Sequence, residues 1–241
     1  MRRFFVPEGT LHGSDVTLSG DLAHRLARVL RMKRGDSVIL SEGGDVEYEV
    51  ELTSVSTSTI SGVVLNQRES PAEPTVELVL YQGLIRPNRF DFVLEKGTEV
   101  GVSRFVPIVS ERSQIPDQAA SDNRMDRWRR LIVEAAEQSG RGRPPELTAP
   151  LSLDQALRTA TGLRLLPWEG ERLQPLGAYI QTLDNHPAIV SLFIGPEGGF
   201  DRSEVDLARS EGCTVVTLGP RILRSETAGI VASALVLDAL E

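Results

Sequence analysis

The stretch that most constrains this chain is its last fifty or so residues. Two apolar runs, Ile189–Ile194 and Thr214–Leu218, each stop abruptly at Gly-Pro, with a short helix-like run between them. An apolar run of that length closed by a turn signal fits a strand buried on both faces of a parallel sheet. The loop after the first run, Gly195-Pro196-Glu197-Gly198-Gly199, holds three glycines in five residues. Glycine lets a ligand come close to the main chain. Gly-rich loops between strand and helix are common, but two of them one short helix apart say more. The carboxyl ends of neighbouring parallel strands open a crevice where ligands bind. Neither loop reads Gly-x-x-x-x-Gly-Lys-Ser/Thr or Gly-x-Gly-x-x-Gly, which excludes a P-loop and argues against an ordinary dinucleotide fold.

Upstream, the chain falls into two patterns. Residues 1–70 read as a small β-rich domain with one helix. Strands are expected at Phe4–Val6, Ser37–Leu40, Tyr48–Thr53 and Ile60–Leu65. Asp21 is placed to cap a helix over Leu22–Met32, with Leu22, Leu26, Val29 and Leu30 on one face and Arg25, Arg28 and Arg31 off it. Gln67–Pro74 is polar, has two prolines and reads as a linker. From Thr75 to the end at 241, strands alternate with helices, the signature of a parallel α/β sheet. Strands are expected at Val76–Tyr81, Phe105–Val109 and Leu163–Leu166, and helices at Arg89–Val100 and Arg124–Ser139. Glu111-Arg112-Ser113 and Pro167-Trp168-Glu169 then follow strands on the crevice side.

Composition narrows the class. With 241 residues, 40% hydrophobic and 25% charged, the chain has room for one large or two modest domains. No apolar run approaches the roughly 20 residues that span a bilayer, and no secretory signal is visible at Met1-Arg2-Arg3-Phe4. Cys213 is the one cysteine, which rules out a disulfide within the chain and fits a reducing cytoplasm. One Cys and three His make a Cys/His metal site improbable, so no metal is expected. The net charge of −8 argues against nucleic acid on its face, yet residues 1–35 carry seven Lys/Arg against three Asp/Glu. Nearly all the basic residues are Arg, suited to bidentate phosphate contact, though a compositional bias explains the skew equally well.

At this point particular residues carry a resemblance. Ile194–Phe200, IGPEGGF, followed by Leu218–Ala228, LGPRILRSETA, resembles the RsmE family of small-subunit ribosomal RNA uridine N3-methyltransferases, in the SPOUT superfamily. His24–Asp36 resembles that family's N-terminal PUA-like RNA-binding module. Lys96–Val102, Glu111–Ser113 and Glu134–Arg141 resemble further family segments. One departure is plain: where the family has a Lys-Gly pair after the strand ending near Gly83, this chain has Arg86-Pro87-Asn88-Arg89, so a role for one specific Lys does not carry over. The likeness is weak over 144–190.

The resemblance implies a C-terminal SPOUT-type parallel sheet with a trefoil knot, behind a small PUA-like barrel. It implies S-adenosylmethionine as cofactor, bent into the knot and held largely by backbone groups. The residues it points to are Leu166, Trp168, Glu169, Ile194, Gly195, Glu197, Gly199, Leu218, Gly219, Ile222, Leu223 and Thr227. For RNA it points to Arg3, Arg25, Arg28, Arg31, Lys33, Arg34, Arg112, Gln138 and Arg141; the arginines of the first helix read without it as a solvated face. Methylating uridine N3 removes a proton, so a base or an anion-stabilising cation helps. Arg224 and Glu226 are the expected pair, with Glu226 either accepting the proton or favouring the positive end of the last helix. Small-subunit ribosomal RNA, within the assembled subunit, is the expected substrate. A methyltransferase of the same fold acting on another RNA, or a non-catalytic RNA-binding protein, remains open.

The final helix, Thr227–Leu240, is apolar nearly all round, with Ser233 and Asp238 as its polar side. A helix of that kind is buried on more than one face, which points to a homodimer through the C-terminal domain, as SPOUT likeness also implies. Packing near Trp128 of the same chain is the alternative.

Overall fold

The computed structural model describes residues 1–11, 13–71, 73–113 and 122–241. It divides into two units, Met1–Glu73 with Ala136–Pro144, and Pro74–Ala135 with Pro145–Glu241.

Alternate burial builds the first unit. Its strands are β1 (Arg2–Phe5), β2 (Asp15–Ser19), β3 (Ser37–Ser41), β4 (Val46–Val55) and β5 (Thr59–Glu69), in the sheet order β1-β3-β4-β5-β2. The sequence pattern gives no sign of β2, where only Val16 and Leu18 turn inward, too few apolar residues to stand out. β1 lies parallel to β3, and the other neighbours are antiparallel. Phe4, Leu26, Leu40, Leu52 and Ile60 fill the core. β5 runs on to Glu69, so the expected linker from Gln67 begins as strand; Ala72 within it lies outside the described residues.

The first helix differs from expectation. Helix α1 spans Gly20–His24 and starts after Ser19, with Asp21 already inside its first turn. The chain then widens into one π turn, Arg25–Val29, closed by Leu30 N–H donating to Arg25 O at 3.0 Å. Such turns add a residue to the repeat and shift the register of the face that follows. Arg31, with φ of 54°, ends it in the left-handed region.

Residues 136–144 join this unit, where the sequence suggests a contiguous split near 70. Glu137 accepts from Phe5 N–H at 3.2 Å and pairs with Arg25 at 2.9 Å. Arg141 Nε donates to Glu73 at 3.0 Å, and Arg3 donates to Arg141 O at 3.1 Å.

The second unit is the expected parallel α/β sheet. Its strands are β6 (Glu77–Gly83), β7 (Arg104–Val109), β8 (Glu146–Leu147), β9 (Leu151–Ser152), β10 (Leu163–Pro167), β11 (Ile189–Ile194) and β12 (Thr214–Val216). They run in the order β12-β10-β11-β6-β7-β8, with β9 also on β7, and every pair is parallel. The helices are α2 (Pro87–Val100), α3 (Asp122–Ser139, whose last turn belongs to the first unit), α4 (Leu153–Thr159), α5 (Leu176–Ile180), α6 (Arg202–Ser210) and α7 (Ser225–Leu240). Two apolar clusters form, one around Leu80, Phe90, Trp128 and Val236, the other around Val106, Leu166, Phe193 and Val215. Cys213 is buried in the second, and burial pushes its thiol up to about 11. Past β12 the chain is pinned to residues 174–176: Thr217 N–H donates to Gln174 O at 2.8 Å, and Leu176 N–H to Thr217 O at 3.0 Å.

Helix α7 packs on α2, α5, β6 and β11. Ser233, expected on its polar side, is instead fully buried, because the inward face follows Gly229, Ala232, Ser233 and Val236. Val231 and Leu235 face out, 36% and 43% exposed. Among the described residues no helix is long and apolar enough to cross a membrane.

Candidate functional site

The crevice predicted by strand order exists. The loops after β10, β11 and β12 meet the start of α7 around a cleft of about 230 Å³. Trp168, Glu169, Ile194, Gly195, Glu197, Gly199, Leu218, Gly219, Ile222, Leu223 and Arg224 all line it. Leu166 does not; it is fully buried in the sheet core. Thr227 is exposed one turn into α7 and is not a lining residue. Glu226, second residue of α7, is buried and also does not line the cleft.

The wall is backbone as much as side chain. Gly199 has φ of 68°, and a Cβ there would stand 2.5 Å from Glu169 Oε1. A Cβ on Gly195 would stand 3.0 Å from Phe200 N. The sequence suggests that these glycines let a ligand approach. In the structure the space a side chain would take is already filled, at Gly199 by Glu169 of the loop after β10 and at Gly195 by Gly199 and Phe200.

A buried relay ties the loops together. Gln82, at the end of β6 and 1% exposed, donates Nε2–H to Ser225 Oγ at 2.9 Å. Ser225 Oγ–H donates to Gly195 O at 2.5 Å. Two sheet ends and the first turn of α7 are thus held in one register. Arg112, expected to meet RNA, has its guanidinium on this loop, donating to Gly198 O at 3.1 Å and to Asp201 at 2.6 Å. Asp201 caps α6, and its carboxyl is held below the usual range by Ser203 N–H first, then by Ser203 Oγ–H and Arg112.

Sequence reasoning missed Arg89. It stands in the first turn of α2 and lines the cleft. Its Nη1 donates to Glu197 at 2.6 Å and its Nε lies 3.6 Å from Glu226 Oε1. Arg86 adds a longer pair to Glu197 at 3.8 Å. The signal was available: the helix after a parallel strand begins at the crevice, and Arg86-Pro87-Asn88-Arg89 sits there. Arg224 is exposed and has no ion pair among the described residues. Phe200, Thr217, Arg221, Ser225 and Ala228 also line the cleft and were not among the expected residues. Among the described residues no group of three or more His, Cys, Asp or Glu is placed to hold a metal ion.

The residues expected to meet RNA divide in two. Arg3 and Arg141 are 9% exposed and occupied by carboxylates, Arg3 by Glu47 at 2.6 Å and Arg141 by Glu73. Arg25 pairs with Glu137 and lies over the Phe4 ring, 5.5 Å from its centre. Arg28, Arg31, Lys33 and Arg34 are exposed and make no ion pair among the described residues, and Gln138 is exposed.

Residues 71–237 match the model of an RNA methyltransferase domain, and residues 18–65 match an RNA methyltransferase PUA domain. The chain is 35% identical to a ribosomal RNA small subunit methyltransferase E of Synechocystis, over 100% of this chain and 78% of that one. The chain belongs to the ribosomal RNA small subunit methyltransferase E family. A Bacillus subtilis member is 29% identical, over 96% of this chain and 94% of its own. The crystal structure of a Neisseria gonorrhoeae ribosomal RNA small subunit methyltransferase E bound to S-adenosyl methionine superimposes with a TM-score of 0.87 at 30% identity, covering 97% of this chain and 95% of that one. The methyltransferase E fold here is accordingly the SPOUT-type α/β domain with a PUA-like domain before it.

Proposed function

We propose that this chain methylates N3 of a uridine in small-subunit ribosomal RNA, using S-adenosylmethionine, in the cytoplasm. The observation that carries the reading is the cleft: lined by Gly-rich loops, apolar side chains and arginines, at the carboxyl ends of three parallel strands. The residues present fit the cofactor. Ile194, Leu218 and Leu223 offer an apolar seat for an adenine, and the tight loops at Gly195–Gly199 and Thr217–Gly219 present main-chain donors and acceptors. When bound there, S-adenosylmethionine supplies an electrophilic methyl group. The chain's own contribution is placement. Gln82 and Ser225 fix the loop positions, Ile222 covers the rim, and the cations Arg89, Arg221 and Arg224 face an anionic acceptor. No residue of the site requires a metal.

Exposed Arg28, Arg31, Lys33 and Arg34 are suited to phosphate contact. Val231 and Leu235 of α7 and Phe92 of α2, at 43% exposed, are outward apolar side chains suited to packing against a second copy of the chain. Nucleoside mass spectrometry of small-subunit RNA, with and without the gene, tests the reaction; one N3-methyluridine is expected to disappear, and an unchanged profile would refute the reading. Sedimentation at micromolar concentration tests the pairing, since a fully active species of about 26.4 kDa would exclude a dimer.

A further inference from the structure

We propose that Arg89 is the catalytic cation of the acceptor site, and that Glu197 and Glu226 are its positioning residues. The proposal rests on the N3-uridine reading above. It begins from a guanidinium held on two sides: Arg89, 33% exposed, lies between Glu197 and Glu226, 17% and 11% exposed, while the more exposed Arg86 reaches only Glu197, at 3.8 Å. Arg89 Nη1 is taken by Glu197 and Nε lies beside Glu226, while Nη2 has no partner among the described residues. A guanidinium has five N–H donors in a rigid fork, so donors remain for the cleft that Arg89 lines. Glu226 Oε2 is buried with no hydrogen-bond partner among the described residues, and the carboxylate does not reach the cleft wall. Its reach is to Arg89, which makes holding the cation its work. The expected pairing of Glu226 with Arg224 is thereby replaced: Arg224 is exposed and unheld, whereas Arg89 is gripped from two sides.

The chemistry such a cation performs follows from uracil. The N3–H bond breaks and its proton goes to water, leaving a negative charge spread over N3 and the flanking carbonyl oxygens. The N3 lone pair then bonds the methyl carbon, whose bond to sulfur breaks with its electrons returning to sulfur. An N–H donor on a uracil carbonyl oxygen stabilises the anion without occupying N3, and a donor held in place before reaction does this with no reorganisation. An exposed arginine must first be ordered, while one fixed by Glu197 and Glu226 is already in position.

The experiment compares Arg89→Lys with the wild-type chain on small subunits carrying uridine or 5-fluorouridine. Lys keeps a positive charge between the two carboxylates, so the fold is retained, but it lacks the fork. On uridine, kcat is expected to fall roughly 10²–10³-fold, the loss typical of one such donor. S-adenosylmethionine affinity by calorimetry and RNA affinity by filter binding are expected to stay the same. Fluorine makes N3 more acidic and its anion less dependent on a donor, so the defect is expected to shrink on 5-fluorouridine. Equal losses on both substrates, wild-type kcat, or a drop in cofactor affinity would each overturn the assignment. If the wild-type chain itself forms no N3-methyluridine, it is the reaction reading that fails, and this outcome is seen before any variant is made.

Discussion

The two units arrange arginines and carboxylates differently. In the N-terminal unit one carboxylate, Glu47, 1% exposed, sits between two arginines, Arg3 at 2.6 Å and Arg68 at 2.5 Å. In the C-terminal unit one arginine, Arg89, sits between two carboxylates. The first arrangement buries the acid and one of its cations, Arg3 at 9% exposed, while Arg68 remains 53% exposed. The second leaves donors of the shared cation facing a cleft. An arginine's presence therefore says little about its task; which of its donors are taken, and what remains unshared, says more. The consequence for the N-terminal module is that its basic character overstates its RNA-binding surface, since Arg3, Arg25 and Arg141 are engaged inside the unit.

The largest expected effect breaks the buried arrangement. Glu47→Ala leaves the nearly buried Arg3 uncompensated and is expected to destabilise the N-terminal unit by about 3–5 kcal/mol, as removal of one member of a buried pair does. Chemical denaturation measures it, and a change under about 1 kcal/mol would place Glu47 with ordinary surface pairs. Next, Glu226→Gln loosens the open arrangement. A misplaced reactive group lowers the rate on the order of 10²-fold, so kcat is expected to drop by that much with cofactor affinity intact; an unchanged kcat would remove Glu226 from the site. The smallest effect sharpens the line between engaged and free cations. Arg28→Ala or Arg34→Ala is expected to flatten the log–log salt dependence of RNA binding by roughly 0.7–0.9 per phosphate that is no longer neutralised. Arg25→Gln, altering a cation already paired to Glu137, is expected to leave the slope alone.

Much of this was legible in the sequence where physics is local. Ile189–Ile194 is a strand to the residue, because five apolar residues in a run of six closed by Gly-Pro admit little else. The Gly-rich loop after β11 followed from the same turn signal, while the other cleft residues came with the family resemblance. What escaped depends on distant partners. The π turn at Arg25–Val29 and the burial of Ser233 are decided by packing, which periodicity does not encode. Arg89 looked like one charge on an amphipathic helix; its identity comes from Glu197 and Glu226, more than one hundred positions away in the chain. Helices α4 and α5 escaped because they are seven and five residues long, in a stretch with faint patterning.

Strand order carries a consequence for biosynthesis. β11 inserts between β6 and β10, pairing Val79 with Ser191 and Leu163 with Val190. A growing chain thus makes β6, β7 and β10 before it possesses the strand that joins β6 to β10. Until then the apolar edges of both remain unpaired, a slow topology of long-range pairing that is exposed to aggregation and to chaperones. The cleft loops after β11 and β12 are translated later still. A ribosome-bound fragment lacking them has no complete cleft, so a chain cut short can neither consume the methyl donor nor modify RNA in error.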